Sequence, residues 1–264
     1  MKFTKMHGLG NDYLYVYGEV PGNAAELSKK LSERHLGAGS DGMIYISKSS
    51  IADFKMRIFN ADGSEAKMCG NGIRCVGKYV YDKGYTDKKF LSIETLSGVK
   101  YLTLQIVGGK VKTITVDMGQ AEAEKAMNLT VDGETVSLFP VSVGNPHAVI
   151  FVDDIEKAPL TKLGPIIEHH EAFPDGVNIE FVQVLGTNKL RMRVWERGSG
   201  VTMACGTGAC ASVMAAIAAK FCHYDETVSV LLDGGTLKIQ IAPDNTVQMT
   251  GPAETVYEGE TEIC

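Results

Sequence analysis

Short apolar or alternating runs, separated by turn residues, recur along most of the chain and are typical of β-strands. The first half carries these runs at residues 2–6, 13–17, 42–47, 54–60, 91–95, 101–106 and 112–118. The second half carries them at residues 136–143, 148–152, 177–185, 189–196, 227–232, 237–241 and 247–251. The pattern therefore predicts a strand-rich protein whose two halves follow the same rhythm.

Each half also contains one conspicuous segment with helical spacing. Residues 73–83 repeat apolar side chains at helical intervals and end at Gly84, whereas residues 209–221 are alanine-rich and carry no charge before Lys220. A helix that is apolar all round is normally buried, so we expect strands to wrap around it. Two shorter amphipathic helices are predicted at residues 24–35 and 160–168.

A repeated cysteine motif relates the two halves. Cys-Gly-x-Gly occurs at residues 69–72 and again at 205–208, and in each copy an arginine, Arg57 or Arg193, precedes the cysteine by 12 residues. The offset of 136 residues recurs approximately between the Gly-Asn pairs at 10–11 and 144–145. Several landmarks in one order at one spacing indicate a tandem duplication.

The duplication predicts an α+β fold of two pseudo-symmetric halves. Each half is expected to be a curved, mainly antiparallel or mixed β-sheet wrapped around a central α-helix, with the active site in the cleft between the halves. The N-terminal half is predicted to comprise residues 1–117 plus about 252–264, and the C-terminal half residues 118–251. A length of 264 residues with 44% hydrophobic residues suits two cores of ordinary size.

Charge and hydropathy exclude several classes of partner. The net charge of −6 gives no basic surface for nucleic acid or an anionic membrane. No apolar run approaches the roughly 18 residues of a membrane-spanning helix, and the first residues lack the apolar core of a signal peptide. We therefore expect a cytoplasmic protein that acts on a small molecule.

The six cysteines are interpreted as free thiols, because a reducing compartment disfavours disulfides. The spacings between Cys69 and Cys75 and between Cys205 and Cys210 miss the pattern of structural zinc sites. No metal is predicted. Structural roles are assigned to the cysteines outside the repeated motif, Cys75, Cys210, Cys222 and Cys264.

A cysteine beside glycines at the start of a helix combines two chemical functions. The helix N-terminus attracts an anion such as a carboxylate, and glycine lets that anion approach the backbone closely. The same environment stabilises a thiolate and can lower the pKa of a cysteine from about 8.5 toward neutrality. Two such units, facing each other, would place one sulfur on each side of an α-carbon, which suits inversion of a stereocentre by proton removal and return.

Two other classes of protein remain open from the residues alone. A thiol hydrolase or transferase would pair one cysteine with a histidine such as His147, but the second cysteine motif would then be unexplained. A redox protein would join Cys69 and Cys205 in a reversible disulfide. Incorporation of solvent deuterium at the α-carbon separates these classes, because only a racemase or epimerase causes it.

Seven motifs, in order along nearly the whole chain, resemble those of the diaminopimelate epimerase family. They lie at residues 6–13, 59–64, 68–75, 144–147, 176–178, 195–198 and 204–208. The resemblance implies interconversion of LL- and meso-2,6-diaminopimelate in lysine and peptidoglycan precursor biosynthesis, without pyridoxal phosphate or any other cofactor. It also implies that Cys69 and Cys205 are the catalytic acid and base.

The resemblance further implies roles for the surrounding residues. Backbone amides that hold the reacting carboxylate would be those of Gly70, Asn71, Gly206 and Thr207. Glu196 would take the reacting ammonium group, with His147 as its partner in tuning the thiols. The far amino-acid end of the substrate would be recognised by Asn11, Asn60, Asn145, Asn178 and Arg197.

One position departs from the family pattern, and one alternative substrate class stays open. Some members carry a glutamine that approaches the substrate where Gly42 stands here, so no substrate contact is assigned to Gly42, and Asp41 is interpreted as a turn residue. A racemase or epimerase of proline or hydroxyproline is the alternative within the isomerases, although Arg197 argues against a substrate without a second charged end. By family analogy the protein is expected to form a homodimer.

Overall fold

The computed structural model describes residues 1–263, so the predicted structural role of Cys264 lies outside the described residues. The chain divides into two compact units. The first comprises Met1–Val116 together with the C-terminal residues from Gly251 onward, and the second comprises Asp117–Thr250. Within residues 1–263, no helix has both the length and the apolar character needed to cross a membrane.

The first unit consists of strands, one short helix and one long helix. Its helices are α1 (Ala24–Ser32) and α2 (Gly70–Asp82). Its strands are β1 (Lys2–Gly8), β2 (Asn11–Tyr17), β3 (Gly42–Ser47), β4 (Phe54–Asn60), β5 (Glu65–Ala66), β6 (Phe90–Thr95), β7 (Gly98–Val107) and β8 (Lys110–Gln120), joined by β19 (Glu254–Glu260) from the end of the chain.

The second unit has a similar set of helices and strands. Its helices are α3 (Leu160–Glu168) and α4 (Gly206–Ala218), with a short 3₁₀ turn at Ile155–Lys157. Its strands are β9 (Glu122–Ala123), β10 (Met127–Val131), β11 (Glu134–Ser142), β12 (Pro146–Phe151), β13 (Asn178–Gly186), β14 (Lys189–Glu196), β15 (Gly200–Thr202), β16 (Thr227–Leu232), β17 (Gly235–Ile241) and β18 (Thr246–Gly251).

Strand pairing follows one scheme in both units. In the first, β1–β2, β3–β4, β6–β7 and β7–β8 are antiparallel, whereas β2–β3 and β4–β6 are parallel. In the second, β11–β12, β13–β14, β16–β17 and β17–β18 are antiparallel, whereas β12–β13 and β14–β16 are parallel. The short helix lies between the two strands of the first parallel pair, and the long helix lies between the two strands of the second. The predicted α+β fold of two similar halves is confirmed.

Alternation along the strands gives each sheet two apolar faces, because successive side chains point to opposite sides. One face of the second unit packs against α3 through Ala148, Ile150, Ile179 and Phe181. The corresponding face of the first unit packs against α1 through Leu14, Met43, Tyr45 and Phe59. The alternate positions of the central strands face the long helices, α2 and α4, which are buried along most of their length.

The long helices begin three residues earlier than the sequence predicts. Helix α2 starts at Gly70 rather than at residue 73, and α4 starts at Gly206 rather than at residue 209. Glycine is a poor helix former, so the sequence pattern places these residues before the helix. In the structure they form the first helical turn, and Cys69 and Cys205 are the N-caps.

Helix α2 contains a buried arginine that the apolar pattern does not anticipate. The Arg74 side chain is fully buried, and its guanidinium group donates to the carbonyl oxygen of Gly70 at 2.9 Å and to Asn71 Oδ1 at 3.0 Å. It also donates to the carbonyl oxygen of Pro252 at 3.1 Å. A buried charge is tolerated only when its hydrogen bonds are satisfied, so Arg74 fixes the first turn of α2.

The predicted helix at residues 24–35 ends early, at Ser32. Glu33 adopts a non-helical ψ of 121°, and Leu36, just beyond the predicted helix, is 86% exposed. The amides of Ala38 and Ser40 return to the carbonyl oxygens of Leu31 and Ser32. The last turn is thereby capped by the following loop.

Three of the cysteines with predicted structural roles, Cys75, Cys210 and Cys222, are buried.

The junction of α3 with β14 offers a stability test, because an ideal Cβ at Gly164 would lie 2.6 Å from Cγ of Trp195. Gly164→Ala should therefore destabilise the protein by about 1–3 kcal/mol through overpacking, although alanine is the better helix former. Gly22→Ala is the matched control, since no atom lies within 4 Å of its ideal Cβ. Urea unfolding followed by the fluorescence of the single tryptophan measures both. A Gly164→Ala protein as stable as wild type would contradict this packing.

Candidate active site

Cys69 caps the N-terminus of helix α2 with its sulfur. Its backbone is extended, with φ −141° and ψ 116°, and the thiol sulfur accepts a hydrogen bond from the amide of Gly72 at 3.3 Å. The sulfur thus takes the place that a serine or aspartate oxygen usually occupies at an N-cap. The thiol also donates to Asn11 Oδ1 at 3.4 Å.

The second glycine of each motif is required by the strand beneath the helix. An ideal Cβ at Gly72 would lie 2.6 Å from Cδ1 of Ile44, and one at Gly208 would lie 2.6 Å from Oε1 of Glu180. A larger residue at either position would force the side chain beneath it, or the helix start, to move. The glycine therefore sets the close approach that holds the capped cysteine in place.

A polar network surrounds Asn11 in the first unit. Asn11 Nδ2 donates to Asp41 Oδ2 at 2.8 Å, and Asn71 Nδ2 donates to Asn11 Oδ1 at 3.5 Å. Asp41 also accepts from the amide of Asp12 and from the guanidinium group of Arg34. Burial raises the pKa of Asp41. Asp41, interpreted from sequence as a turn residue, thus orients the amide that contacts the Cys69 thiol.

Asn60 lies at the end of β4, before a tight turn. Its Nδ2 donates to Ser64 Oγ at 3.1 Å, and its backbone amide donates to the carbonyl oxygen of Ser64 at 2.8 Å. Gly42, its partner in the register of β3 and β4, has no room for a side chain. An ideal Cβ there would lie 2.2 Å from the carbonyl oxygen of Phe59.

Cys205 caps helix α4 in the same way as Cys69 caps α2. Its sulfur accepts from the amide of Gly208 at 3.3 Å and lies 3.5 Å from Thr207 Oγ1. The expected lowering of its pKa is wrong for this cysteine. Burial, together with the negative charges of Glu196 and Glu180, raises the pKa of Cys205 well above its ordinary value and outweighs the hydrogen bonds at the cap.

Glu196 lies at the end of β14 and is tied to the neighbouring strand. It accepts a short hydrogen bond from Thr202 Oγ1. Burial raises the pKa of Glu196, and the charge of Glu180 acts in the same direction, whereas hydrogen bonds from Thr202 and Cys205 oppose the rise. Glu196 is therefore a carboxyl group whose ionisation depends on what binds beside it.

His147 is buried beneath the start of α4 and contacts two side chains. Its Nδ1 lies 2.7 Å from Glu180 Oε1, and its Nε2 lies 3.2 Å from Asn145 Oδ1. Asn145 Nδ2 in turn donates to Thr207 Oγ1 at 3.3 Å. Asn145, expected from the family resemblance to bind the far end of the substrate, here contacts His147 and the cap of α4.

Arg197 is exposed on the turn after β14, and its backbone is fixed by Asn178. The Arg197 amide donates to Asn178 Oδ1 at 3.0 Å, and Asn178 Nδ2 donates to the carbonyl oxygen of Pro146 at 2.9 Å. Its guanidinium group donates to the carbonyl oxygen of Asp175 at 2.6 Å. At Gly176, with φ +72°, an ideal Cβ would lie 2.8 Å from Arg197 Cδ, so glycine makes room for this side chain.

Glu168, at the end of α3, holds the same turn from both sides. It accepts from Trp195 Nε1 at 2.7 Å and from the amide of Gly198 at 2.8 Å. The two residues between these contacts are Glu196 and Arg197. Glu168 therefore fixes the backbone that presents both predicted substrate-binding side chains.

The predicted site residues form separate clusters within each unit. Asn11 and Asn71 gather around Cys69, while Asn145, His147 and Thr207 form a connected set with Cys205. Sequence reasoning missed the three carboxylates that support them, Asp41, Glu168 and Glu180. Their signal was weak, because each reaches the cluster through a partner that is distant in sequence. Among residues 1–263, no group of three His, Cys, Asp or Glu side chains is arranged to hold a metal ion.

Comparison with known proteins places this arrangement in one family. The family model described as "Diaminopimelate epimerase" matches residues 3–124 and 139–256. The diaminopimelate epimerase of Acetivibrio thermocellus is 49% identical over 279 aligned positions, which cover 100% of this chain and 99% of that relative. The diaminopimelate epimerase of Agathobacter rectalis is 50% identical, with 100% of both chains covered.

Solved structures with low sequence identity share the fold. A Bacillus anthracis phenazine biosynthesis protein of the PhzF family superposes with a TM-score of 0.81 at 15% identity, covering 100% of this chain and 99% of the other. A hydroxyproline epimerase from Agrobacterium vitis gives 0.73 at 16% identity, covering 99% and 90%. A hydroxyproline epimerase, the alternative raised from sequence, thus shares the fold of this chain. The full-length relatives near 50% identity are named diaminopimelate epimerases instead. The chain belongs to the diaminopimelate epimerase family.

Proposed function

We propose that this protein inverts one α-carbon of LL-2,6-diaminopimelate to give the meso isomer, by proton transfer between two cysteines without a cofactor. Membership of the family supports this substrate. The observation that carries the chemistry is the repeated cap: Cys69 and Cys205 each place a sulfur at the N-terminus of a buried 13-residue helix. A single-thiol enzyme would need only one such cap.

In this proposal the two units are the two halves of the duplication, and each supplies one capped helix to the reacting end of the substrate. The reacting carboxylate lies at the N-termini of α2 and α4, where helix dipoles favour an anion. Backbone amides of Gly70, Asn71, Gly206 and Thr207 hold it. As the α-proton leaves, negative charge spreads onto the carboxylate, so these amides stabilise the transition state most.

The proton balance needs one thiolate and one thiol. The thiolate removes the hydrogen from the α-carbon and becomes a thiol, while the opposite thiol gives its hydrogen to the other face and becomes a thiolate. The raised pKa of Cys205 supports a free protein in which Cys205 carries the proton and Cys69 acts as the base. In the reverse direction the two roles exchange.

The remaining polar residues bind the two charged ends of the substrate. Glu196 accepts the reacting ammonium group, whose positive charge favours the ionised form of this carboxyl despite its raised pKa. Arg197 is the predicted clamp for the distant carboxylate, because a guanidinium group offers two parallel donors to it. The asparagine amides, which both donate and accept, bind beside them: Asn11, Asn60, Asn145 and Asn178.

Family analogy also supports a homodimer, and membership of a family of biosynthetic enzymes supports a cytoplasmic location. Light scattering of the purified protein measures the first, and fractionation of cells that produce it measures the second.

Cys69→Ala and Cys205→Ala should each lower epimerisation in both directions by at least about 10³-fold, because each removes one of the two groups that move the proton. The measurement is the interconversion of the diaminopimelate isomers, starting from each isomer in turn. Cys222→Ala is the control, since this buried cysteine lies outside both caps. Either cap variant retaining full two-way epimerisation would contradict the two-thiol mechanism.

Arg197→Ala should lower kcat/KM for diaminopimelate by roughly 100-fold or more, because it removes a charge-assisted contact to the distant carboxylate. Arg193→Ala is the matched control four residues earlier, on β14, since Arg193 pairs with Asp233 and its loss should change kcat/KM little. Steady-state kinetics of both variants test the clamp. Unchanged kinetics for Arg197→Ala would show that this side chain does not bind the substrate.

A further inference from the structure

The two units differ at the positions that face their long helices. The first unit carries Ile44 under α2, where an ideal Cβ at Gly72 would meet the isoleucine methyl group. At the equivalent position, 136 residues later, the second unit carries Glu180 under α4. A carboxyl group thus replaces an apolar side chain beneath one of two otherwise similar cysteine caps.

Glu180 is fully buried, and its surroundings are defined. It lies on β13, in register with Val149 of β12 and Val194 of β14. The ionisable groups that face it are His147 from β12, Glu196 from β14 and Cys205 from the cap of α4. Its Oε1 lies 2.7 Å from His147 Nδ1, and its Oε2 has no hydrogen-bond partner within residues 1–263.

Hydrogen bonds continue from this pair to the sulfur of Cys205. His147 Nε2 contacts Asn145 Oδ1 at 3.2 Å, Asn145 Nδ2 donates to Thr207 Oγ1 at 3.3 Å, and Thr207 Oγ1 lies 3.5 Å from the sulfur. An amide oxygen can only accept, so Nε2 of His147 must carry a hydrogen. Thr207 Oγ1 accepts from Asn145 and keeps a hydrogen of its own that it can donate to the sulfur.

The proton count of the buried pair follows from the same contacts. Nε2 holds one hydrogen, and the short contact between Nδ1 and Oε1 requires a second. This second hydrogen lies in the hydrogen bond between Nδ1 and Oε1, and Glu180 is the group that holds it there.

We propose that Glu180 is a positioning residue for proton transfer at Cys205, acting through the ring of His147 and the hydrogen bonds of Asn145 and Thr207. This role of Glu180 rests on the proposed function. Glu180 fixes the direction of each donor in this series of hydrogen bonds. The threonine hydroxyl therefore points to the sulfur when the thiol gives up its proton. The pair itself exchanges no proton with the substrate: the thiol hydrogen moves to the α-carbon, and both hydrogens of the pair stay in place.

A histidine without Glu180 would lose this directionality. A neutral ring can carry its hydrogen on Nδ1 and leave Nε2 bare, in which case the amide of Asn145 turns to donate to Nε2. The amide oxygen then faces Thr207, and the threonine hydrogen points to that oxygen instead of to the sulfur. The thiolate of Cys205 would lose one of its hydrogen bonds, while the substrate-binding side chains other than Asn145 would be unchanged.

Two substitutions of Glu180 test the proposal in the full-length protein. Glu180→Met removes both polar atoms and should lower kcat by at least about tenfold, the usual scale for a supporting hydrogen bond, with KM within about threefold of wild type. Glu180→Gln preserves the shape, and its amide can donate to Nδ1 and keep the hydrogen on Nε2. It should therefore retain activity within about fivefold of wild type.

The protonation of the ring gives a readout that a merely structural role would not move. In protein labelled with ¹⁵N-histidine, the His147 signals, assigned with a His147→Gln variant, should show a hydrogen on Nε2 and a second hydrogen in the bond at Nδ1. In Glu180→Gln they should show a hydrogen on Nε2 alone. Glu168→Gln is the control for loss of another buried glutamate of this unit, and it should leave the His147 signals unchanged. Thermal unfolding of each variant checks that it is folded.

Three results would overturn the proposal: wild-type kcat in Glu180→Met, a bare Nε2 in wild-type protein, or identical His147 signals in wild type and Glu180→Gln. If wild-type protein fails to epimerise diaminopimelate, the proposed function fails, but the spectra still decide whether Glu180 sets the state of His147. The two failures are therefore distinguishable.

Discussion

A cysteine sulfur that accepts a backbone amide at the start of a buried helix is the interaction on which the rest of this structure depends. In each unit the sulfur stands where a serine or aspartate oxygen usually caps a helix. The cap fixes the sulfur at the positive end of the helix dipole. It also explains the glycine three residues later, because only glycine leaves space for the strand side chain beneath. Fold and chemistry thus share one set of contacts.

The duplication gives two equal backbones but two unequal thiol environments. Cys69 contacts an asparagine oxygen above an apolar strand, whereas Cys205 lies among buried carboxyl groups that raise its pKa. A reaction that runs through one thiolate and one thiol is served by such a difference, because it favours the proton on one of the two sulfurs. Glu180, at the position equivalent to Ile44, contributes to this asymmetry within a repeated fold.

Much of the fold and of the candidate site could be predicted from sequence. The predictions that were wrong have identifiable physical causes. The repeat of Cys-Gly-x-Gly located both thiols and the two-half fold, because spacing survives in the sequence even when the residues between have changed. The helix starts were misplaced by three residues, since glycine in a first turn is unfavourable unless the sheet requires it. Glu180 and the pKa of Cys205 could not be predicted, because both depend on partners such as His147, 33 residues away on another strand.

The central claim is that two different groups remove and return the α-proton, and solvent deuterium labelling at early times tests it most directly. In ²H₂O, starting from one isomer at a time, deuterium should appear in the inverted product while the remaining substrate stays unlabelled. The reverse reaction should behave in the same way. Deuterium entering the unreacted isomer as fast as the product forms would mean that one group serves both faces, and would contradict the account.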